Sequence, residues 1–323
     1  MGRAAITRKK SGARFPVEKC AAFWNCERKL FQRRTTMNFK TRKRLLKLLC
    51  CFIPSHKIRK RVHGSFDRYF YFKAKKSALL APQIRTIVIG SSHARVGFYE
   101  TPEDINFGID SQDLYYSHQL YMKSLLMFPN LKRVVLFYSD FSDGNEEERS
   151  KMIEETVKYM QYFGIPPKNP VFYADQQIDL CPNFAPYEVK TPDFNDPYPF
   201  PFPAHDPSPE SVKIRVEKHL KGAFRGSNQT MFVERIIRSV LEEGLDLTIV
   251  VAPVRADYLS FVPVDAKPFE KLEKLLTKYD GKIRYLNCWR DPDFTDADFT
   301  DCDHLNRDGA QKLTAKIRQP WDA

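Results

Sequence analysis

The chain has 323 residues, 42% hydrophobic and 13% aromatic, enough apolar side chain for a large packed core, which excludes a globally disordered protein. Its formal net charge is +12, yet residues 1–76 hold 23 Lys or Arg against Glu18, Glu27 and Asp67, while the remainder holds 29 basic and 37 acidic residues. A mildly acidic body therefore follows a strongly basic leader, of the kind that meets phosphates of anionic lipid or nucleic acid.

Residues 1–36 have no clear periodicity and read as a disordered basic extension, with Met1 and Met37 as alternative natural starts. Residues 37–82 read as a basic amphipathic leader. Leu45, Leu46, Leu48, Leu49 and Phe52 can share one face of a short helix, with Lys43, Arg44 and Lys47 at its flank. Two readings stay open: a helix lying in a membrane interface, with residues 40–61 on anionic headgroups, or a helix packed on the body with solvated lysines. Nucleic acid is the weaker partner, because no reading motif accompanies the charge. No stretch approaches the about 18 apolar residues that a spanning helix needs. Leu45–Ile53 is short and broken by Lys47, and no cleavage pattern follows it. The expected location is cytoplasmic, peripheral on the inner face of the membrane where the leader binds lipid. Seven cysteines (20, 26, 50, 51, 181, 288 and 302) form no CxxC pair and read as free thiols. No metal site and no cofactor motif is read.

The body is expected over 83–323. Ile84–Ile89 is a β-branched run opening into Gly90-Ser91-Ser92, a buried strand ending in a tight turn. Further strands are predicted at Asp104–Phe107, Lys132–Tyr138, Leu247–Ala252 and Lys282–Leu286. Helical patterns fall at Ser111–Met127, Glu146–Phe163, Ser211–Phe224, Met231–Glu243, Pro268–Tyr279 and Arg307–Arg318. The alternation predicts an α/β three-layer sandwich with a central, mostly parallel five-stranded sheet in a flavodoxin-like order. Residues 182–209 carry nine prolines and interrupt this rhythm as an extended insertion, either a cover over a site or a surface excursion.

Ligands collect at the carboxyl ends of strands in such a sheet, and the candidate chemistry falls there. Ser92 sits on the turn after the first strand, where a hydroxyl projects into the crevice beside backbone N–H groups. Taken alone, Gly-Ser-Ser is also an ordinary helix cap or a phosphate-cradling turn. Near the C-terminus stands Asp301-Cys302-Asp303-His304-Leu305, followed by Gly309. A hydroxyl becomes a useful nucleophile when an imidazole takes its proton and a carboxylate orients that imidazole. Asp301 and His304, three residues apart, can supply both from one loop. Gly108 closes the second strand and is either a turn glycine or a backbone donor.

The Gly-x-Ser turn after strand one, paired with a C-terminal Asp-x-x-His-Leu, resembles the SGNH or GDSL-type hydrolase superfamily over roughly 84–317. The resemblance implies Ser92 as nucleophile, His304 as base, Asp301 as its orienter, and an oxyanion hole from the N–H groups of Ser92 and Gly108. Two departures stand out. Ser91 occupies the place of the family's aspartate, and Tyr138–Asn145 lacks its Gly-x-Asn-Asp block. The pattern Ile-Gly-Ser-Ser-His-Ala-Arg is also similar to SGNH-like proteins of bacterial cell-envelope polysaccharide assembly, including those linked to D-alanine transfer. That implies an esterase or O-acyltransferase whose partner is an acylated glycan or small ester. A non-catalytic protein that binds a glycan or a synthesis partner is the alternative.

Overall fold

The computed structural model describes residues 68–150, 153–175, 178, 192–203, 208–223 and 228–320. The extension 1–36, the Leu45–Phe52 face, residues 40–61 and residues 182–191 and 204–207 of the proline-rich insertion lie outside the described residues. Among the described residues no helix is long and apolar enough to cross a membrane.

In chain order the elements are α1 (Arg68–Leu80), β1 (Thr86–Ile89), α2 (Ser92–Gly97), β2 (Asp104–Asn106), α3 (Leu114–Met127) and β3 (Arg133–Phe137). These are followed by α4 (Ile153–Phe163), α5 (Pro170–Asp175), α6 (Pro209–Ala223), α7 (Thr230–Glu242) and β4 (Asp246–Val251). The last are α8 (Ala256–Ser260), α9 (Glu270–Leu276), β5 (Arg284–Asn287) and α10 (Arg307–Arg318). The five strands form one parallel sheet in the order β2-β1-β3-β4-β5, the doubly wound arrangement expected from the sequence.

Alternation along each strand divides the core between two faces. Ile87, Ile89, Ile105, Val134, Leu136 and Ile249 point into the larger layer, against Tyr116, Leu120, Phe163, Ile236 and Leu272. Val88, Val135, Phe137 and Val250 point the other way, against Ala94, Leu305, Leu313 and Ile317 of α2, the 299–305 loop and α10. Burial on both faces is why the central strands β1, β3 and β4 read as apolar runs.

α1, which falls within the residues read as leader, packs against α4 and β2: Phe70 and Phe72 are buried, and so are Lys73 and Lys76. The helix predicted from Ser111 starts at Leu114, capped by Asp113, whose Oδ1 accepts the Tyr116 N–H at 3.0 Å.

Asp113 also accepts the Glu147 N–H through Oδ2 at 3.1 Å. Burial pushes its carboxyl up to about 6, against the pull of these two hydrogen bonds. A carboxyl raised in the fold binds protons that the unfolded chain has already lost. Its stabilisation is complete below the ordinary aspartate range and is lost as pH rises through about 6. Urea unfolding across this window is expected to show stability falling with pH, and Asp113→Asn is expected to shallow that fall. An unchanged slope in the variant would remove Asp113 as its source.

Candidate active site

The site forms where β1, β3 and the 299–305 loop meet at the carboxyl edge of the sheet. β1 ends at Gly90, whose φ of +138° and contact with Phe137 leave no room for a side chain. A Cβ there would lie 2.7 Å from the Phe137 carbonyl oxygen, so the chain turns sharply and opens α2 on Ser92. Across the crevice, Phe299 and Leu305 pair in an antiparallel bridge, and Thr300 N–H donates to His304 O at 2.8 Å. This pins the short loop that carries Asp301 and His304.

Ser92 Oγ lies 2.9 Å from His304 Nε2, and His304 Nδ1 lies 2.8 Å from Asp301 Oδ2. Asp301 Oδ1 accepts the backbone N–H groups of Asp303 at 3.0 Å and His304 at 2.7 Å, which fixes the carboxylate. Ser92 retains 8% exposure and His304 none. Burial lowers the His304 imidazole, against the raising pull of Asp303 and Asp301, so the neutral base is favoured. Burial raises Asp301, but its hydrogen bond to His304, the charge of that ring and the Asp303 N–H together outweigh this and hold the carboxyl below its ordinary value. The three residues can therefore pass a proton from hydroxyl to imidazole beside an anionic carboxylate.

Gly108 does not take the place expected of it. Its N–H donates to Asn106 Oδ1 at 2.8 Å and has no second hydrogen to offer an oxyanion. The glycine is required by packing instead, since a Cβ would lie 2.4 Å from Arg95 N and 2.8 Å from the Ala94 Cβ. The Ser92 N–H opens α2, where first-turn N–H groups have no intrahelical acceptor. Asn145, in the loop after β3, donates to Ser111 O at 2.7 Å.

Sequence reasoning missed a second buried network beside the first. Ser91 Oγ meets Ser139 Oγ at 3.0 Å, Ser139 meets His93 Nδ1 at 2.8 Å, and His93 Nε2 meets Asp303 Oδ2 at 3.0 Å. Asp303 is paired with Arg215 of α6, Nη2 to Oδ2 at 3.0 Å. Burial raises Asp303, but His304, His93, Arg215 and His219 together hold it well below the usual carboxylate range. Further along, His219 Nδ1 meets Tyr258 Oη at 2.9 Å, and burial lowers this histidine to about 3. His93, Asp303 and His304 bring metal-type ligand atoms within 4.8 Å of one another. Each already has partners, and among the described residues the Arg215 guanidinium is the cation against Asp303 and His304.

The proline-rich segment 192–203 lies against this site. Tyr198 Oη donates to Leu305 O at 2.9 Å, Glu100 N–H donates to Pro197 O at 2.9 Å, and Arg95 Nη1 donates to Phe200 O at 3.0 Å. Phe202 stacks on His304, centroids 3.7 Å apart and planes 15° from parallel.

The geometry separates the two carboxylates near His304. Asp301 Oδ2 is at hydrogen-bonding distance from Nδ1, whereas Asp303 Oδ1 is 3.6 Å away. Asp301→Asn is expected to lower kcat at neutral pH by roughly 10³-fold or more, and Asp303→Asn by far less. Equal losses in steady-state assays of the two variants would reject that division.

No family model matches the chain, and no curated protein matches it. Among solved structures it is similar to a "putative acylhydrolase" from Bacteroides fragilis NCTC 9343. The identity is 11%, the TM-score is 0.38, and the match spans 76% of this chain and 92% of that one.

Proposed function

We propose that the chain is a serine hydrolase or acyltransferase of SGNH type acting on acyl esters. The observation that carries this reading is the continuous chain from Ser92 Oγ through His304 to Asp301, with links of 2.9 and 2.8 Å. Ser92 attacks the ester carbonyl as its proton passes to His304 Nε2. Asp301 holds the imidazolium, and His304 then returns the proton to the leaving alcohol. Water as second acceptor regenerates Ser92 as an esterase would; a sugar hydroxyl completes an O-acyl transfer. The resemblance noted in the sequence favours an acylated glycan or related cell-envelope ester. The developing oxyanion is assigned to the Ser92 N–H, without Gly108.

The engaged N–H of Gly108 favours a second reading, a non-catalytic protein that binds a glycan with the same crevice. A serine-directed fluorophosphonate separates the two. Stoichiometric adduct on the peptide containing Ser92 supports the enzyme; folded protein that stays unlabelled refutes it.

A further inference from the structure

Arg215 approaches His304 from an unexpected direction. Its Nη2 lies 3.1 Å from Nδ1 and 3.3 Å from Nε2 of the same ring. No point in the ring plane is that close to both nitrogens without colliding with a ring carbon. The in-plane directions are moreover taken by Asp301 and Ser92. The guanidinium therefore sits over a face of the imidazole. Phe202 covers a face as well, nearly parallel at 3.7 Å, so the two lie on opposite sides. His304 is held between an aromatic ring and a cation, with its two nitrogens aimed at Asp301 and Ser92.

Charge gives this sandwich a second consequence. The groups facing His304 are Asp301 and Asp303 from its own loop, with the Cys302 thiol between them, Ser92 and His93 from α2, and Arg215 and His219 from α6. Burial holds His219 to about 3, so it contributes no charge at neutral pH. Two carboxylates beside an imidazole would stabilise its protonated form, which cannot accept the serine proton. Arg215 is bound to the second of them, with Nη2 3.0 Å from Asp303 Oδ2 and Nε 2.5 Å from Oδ1. One carboxylate is thereby offset, leaving Asp301 as the anion that acts on the base.

We propose that Arg215 is a positioning residue for His304: seated on the ring face opposite Phe202 and paired with Asp303, it keeps the imidazole in register between Asp301 and Ser92 and in the neutral form a general base requires. Its catalytic meaning rests on the reading of Ser92 and His304 given above; its effect on the imidazole does not. The arginine fork matters because one guanidinium reaches the carboxylate and the ring together, which an ammonium cannot do in the same geometry.

The test is an NMR titration of His304 in the full chain, with its resonance assigned by loss in His304→Gln. Arg215→Met is expected to raise the His304 midpoint by about one pH unit or more, because Asp303 is no longer offset. Arg215→Lys is expected to fall between Arg215→Met and the parent chain. The double variant Arg215→Met with Asp303→Asn is expected to return near the parent value. An unmoved midpoint in Arg215→Met, or a double variant shifted as far as the single one, overturns the proposal. Should Arg215→Met fail to fold, Asp303→Asn alone decides. It leaves the arginine unopposed and should lower the midpoint; an unchanged or raised value overturns the proposal. Fluorophosphonate labelling of the same samples keeps the two ideas apart. A parent chain whose Ser92 stays unlabelled sinks the hydrolase reading while the midpoints still judge Arg215. Normal labelling with an unmoved His304 midpoint sinks the Arg215 proposal alone.

Discussion

Replacing His304 with glutamine is expected to lower hydrolysis of p-nitrophenyl acetate by about 10⁴-fold, because among the described residues no other group is placed to take the Ser92 proton. Among the described residues, Ser92 Oγ has one imidazole nitrogen within hydrogen-bonding reach, at 2.9 Å. His93, the next imidazole, is turned to Ser139 and Asp303. Glutamine approximates the volume of histidine and can keep a donor towards Asp301, so the loop is expected to hold its shape; a thermal melt checks this. Ser92→Ala should lose about as much, and the double variant little more, since nucleophile and base act as a unit. A folded His304→Gln protein retaining activity within tenfold of the parent would mean that hydrolysis does not pass through this histidine.

Much of this site was legible because its parts are local. Gly90-Ser91-Ser92 announces a strand-to-helix turn, and Asp301 and His304 lie three residues apart on one loop. The sheet was legible for a similar reason: alternate residues of β1, β3 and β4 bury on both faces and produce three apolar runs. The rest of the site depends on distant partners. Arg215 lies in a helix whose neighbours, Lys213 and Lys218, look like any solvated charged face. Its partner Asp303 is 88 residues away in the sequence. Nothing in either segment states that they pair. Gly108 is a different kind of miss. Asparagine two residues before a glycine is a recognised signal for a side chain closing onto the backbone N–H. Asn106-Phe107-Gly108 carries that signal, and the structure shows the closure. The family resemblance pointed to a free donor at the one position where local turn chemistry consumes it.

The first helix was hidden by its surroundings. Lys73 and Lys76 sit in a segment where nearly every charge is positive, and they read as part of a basic leader. In the fold both are buried: Lys73 Nζ donates to Asn106 O, and Lys76 Nζ pairs with Glu100. The acid that Lys76 needs is 24 residues downstream, past the whole of β1 and α2. A basic leader and the first helix of a body cannot be told apart by charge when the compensating carboxylate is that distant.

This pair sets the second large effect, on stability. The Lys76 and Glu100 side chains are only 2% and 5% exposed. Burial pushes the Glu100 carboxyl up, and the positive charges of Lys76 and Lys73 pull against it. Glu100 Oε1 also accepts the Asn106 N–H at 3.2 Å, and Asn106 in turn donates to Ala94 O and accepts from Gly108. The ion pair thus ties α1 to the turn behind the site. Lys76→Met removes one partner and leaves a buried carboxyl facing apolar side chain, a loss of roughly 3–5 kcal/mol. Adding Glu100→Gln should restore part of it, because the amide oxygen can still accept from Asn106 while the unpaired carboxylate is gone and Lys73 keeps its bond to Asn106 O. Urea unfolding of the parent, Lys76→Met and the double variant measures this directly. The cost should concentrate in the single variant, since an unpaired buried charge is worse than a neutral pair. A double variant no more stable than Lys76→Met would show that the lysine contributes through packing of its stem against α1 and β2 rather than through its charge.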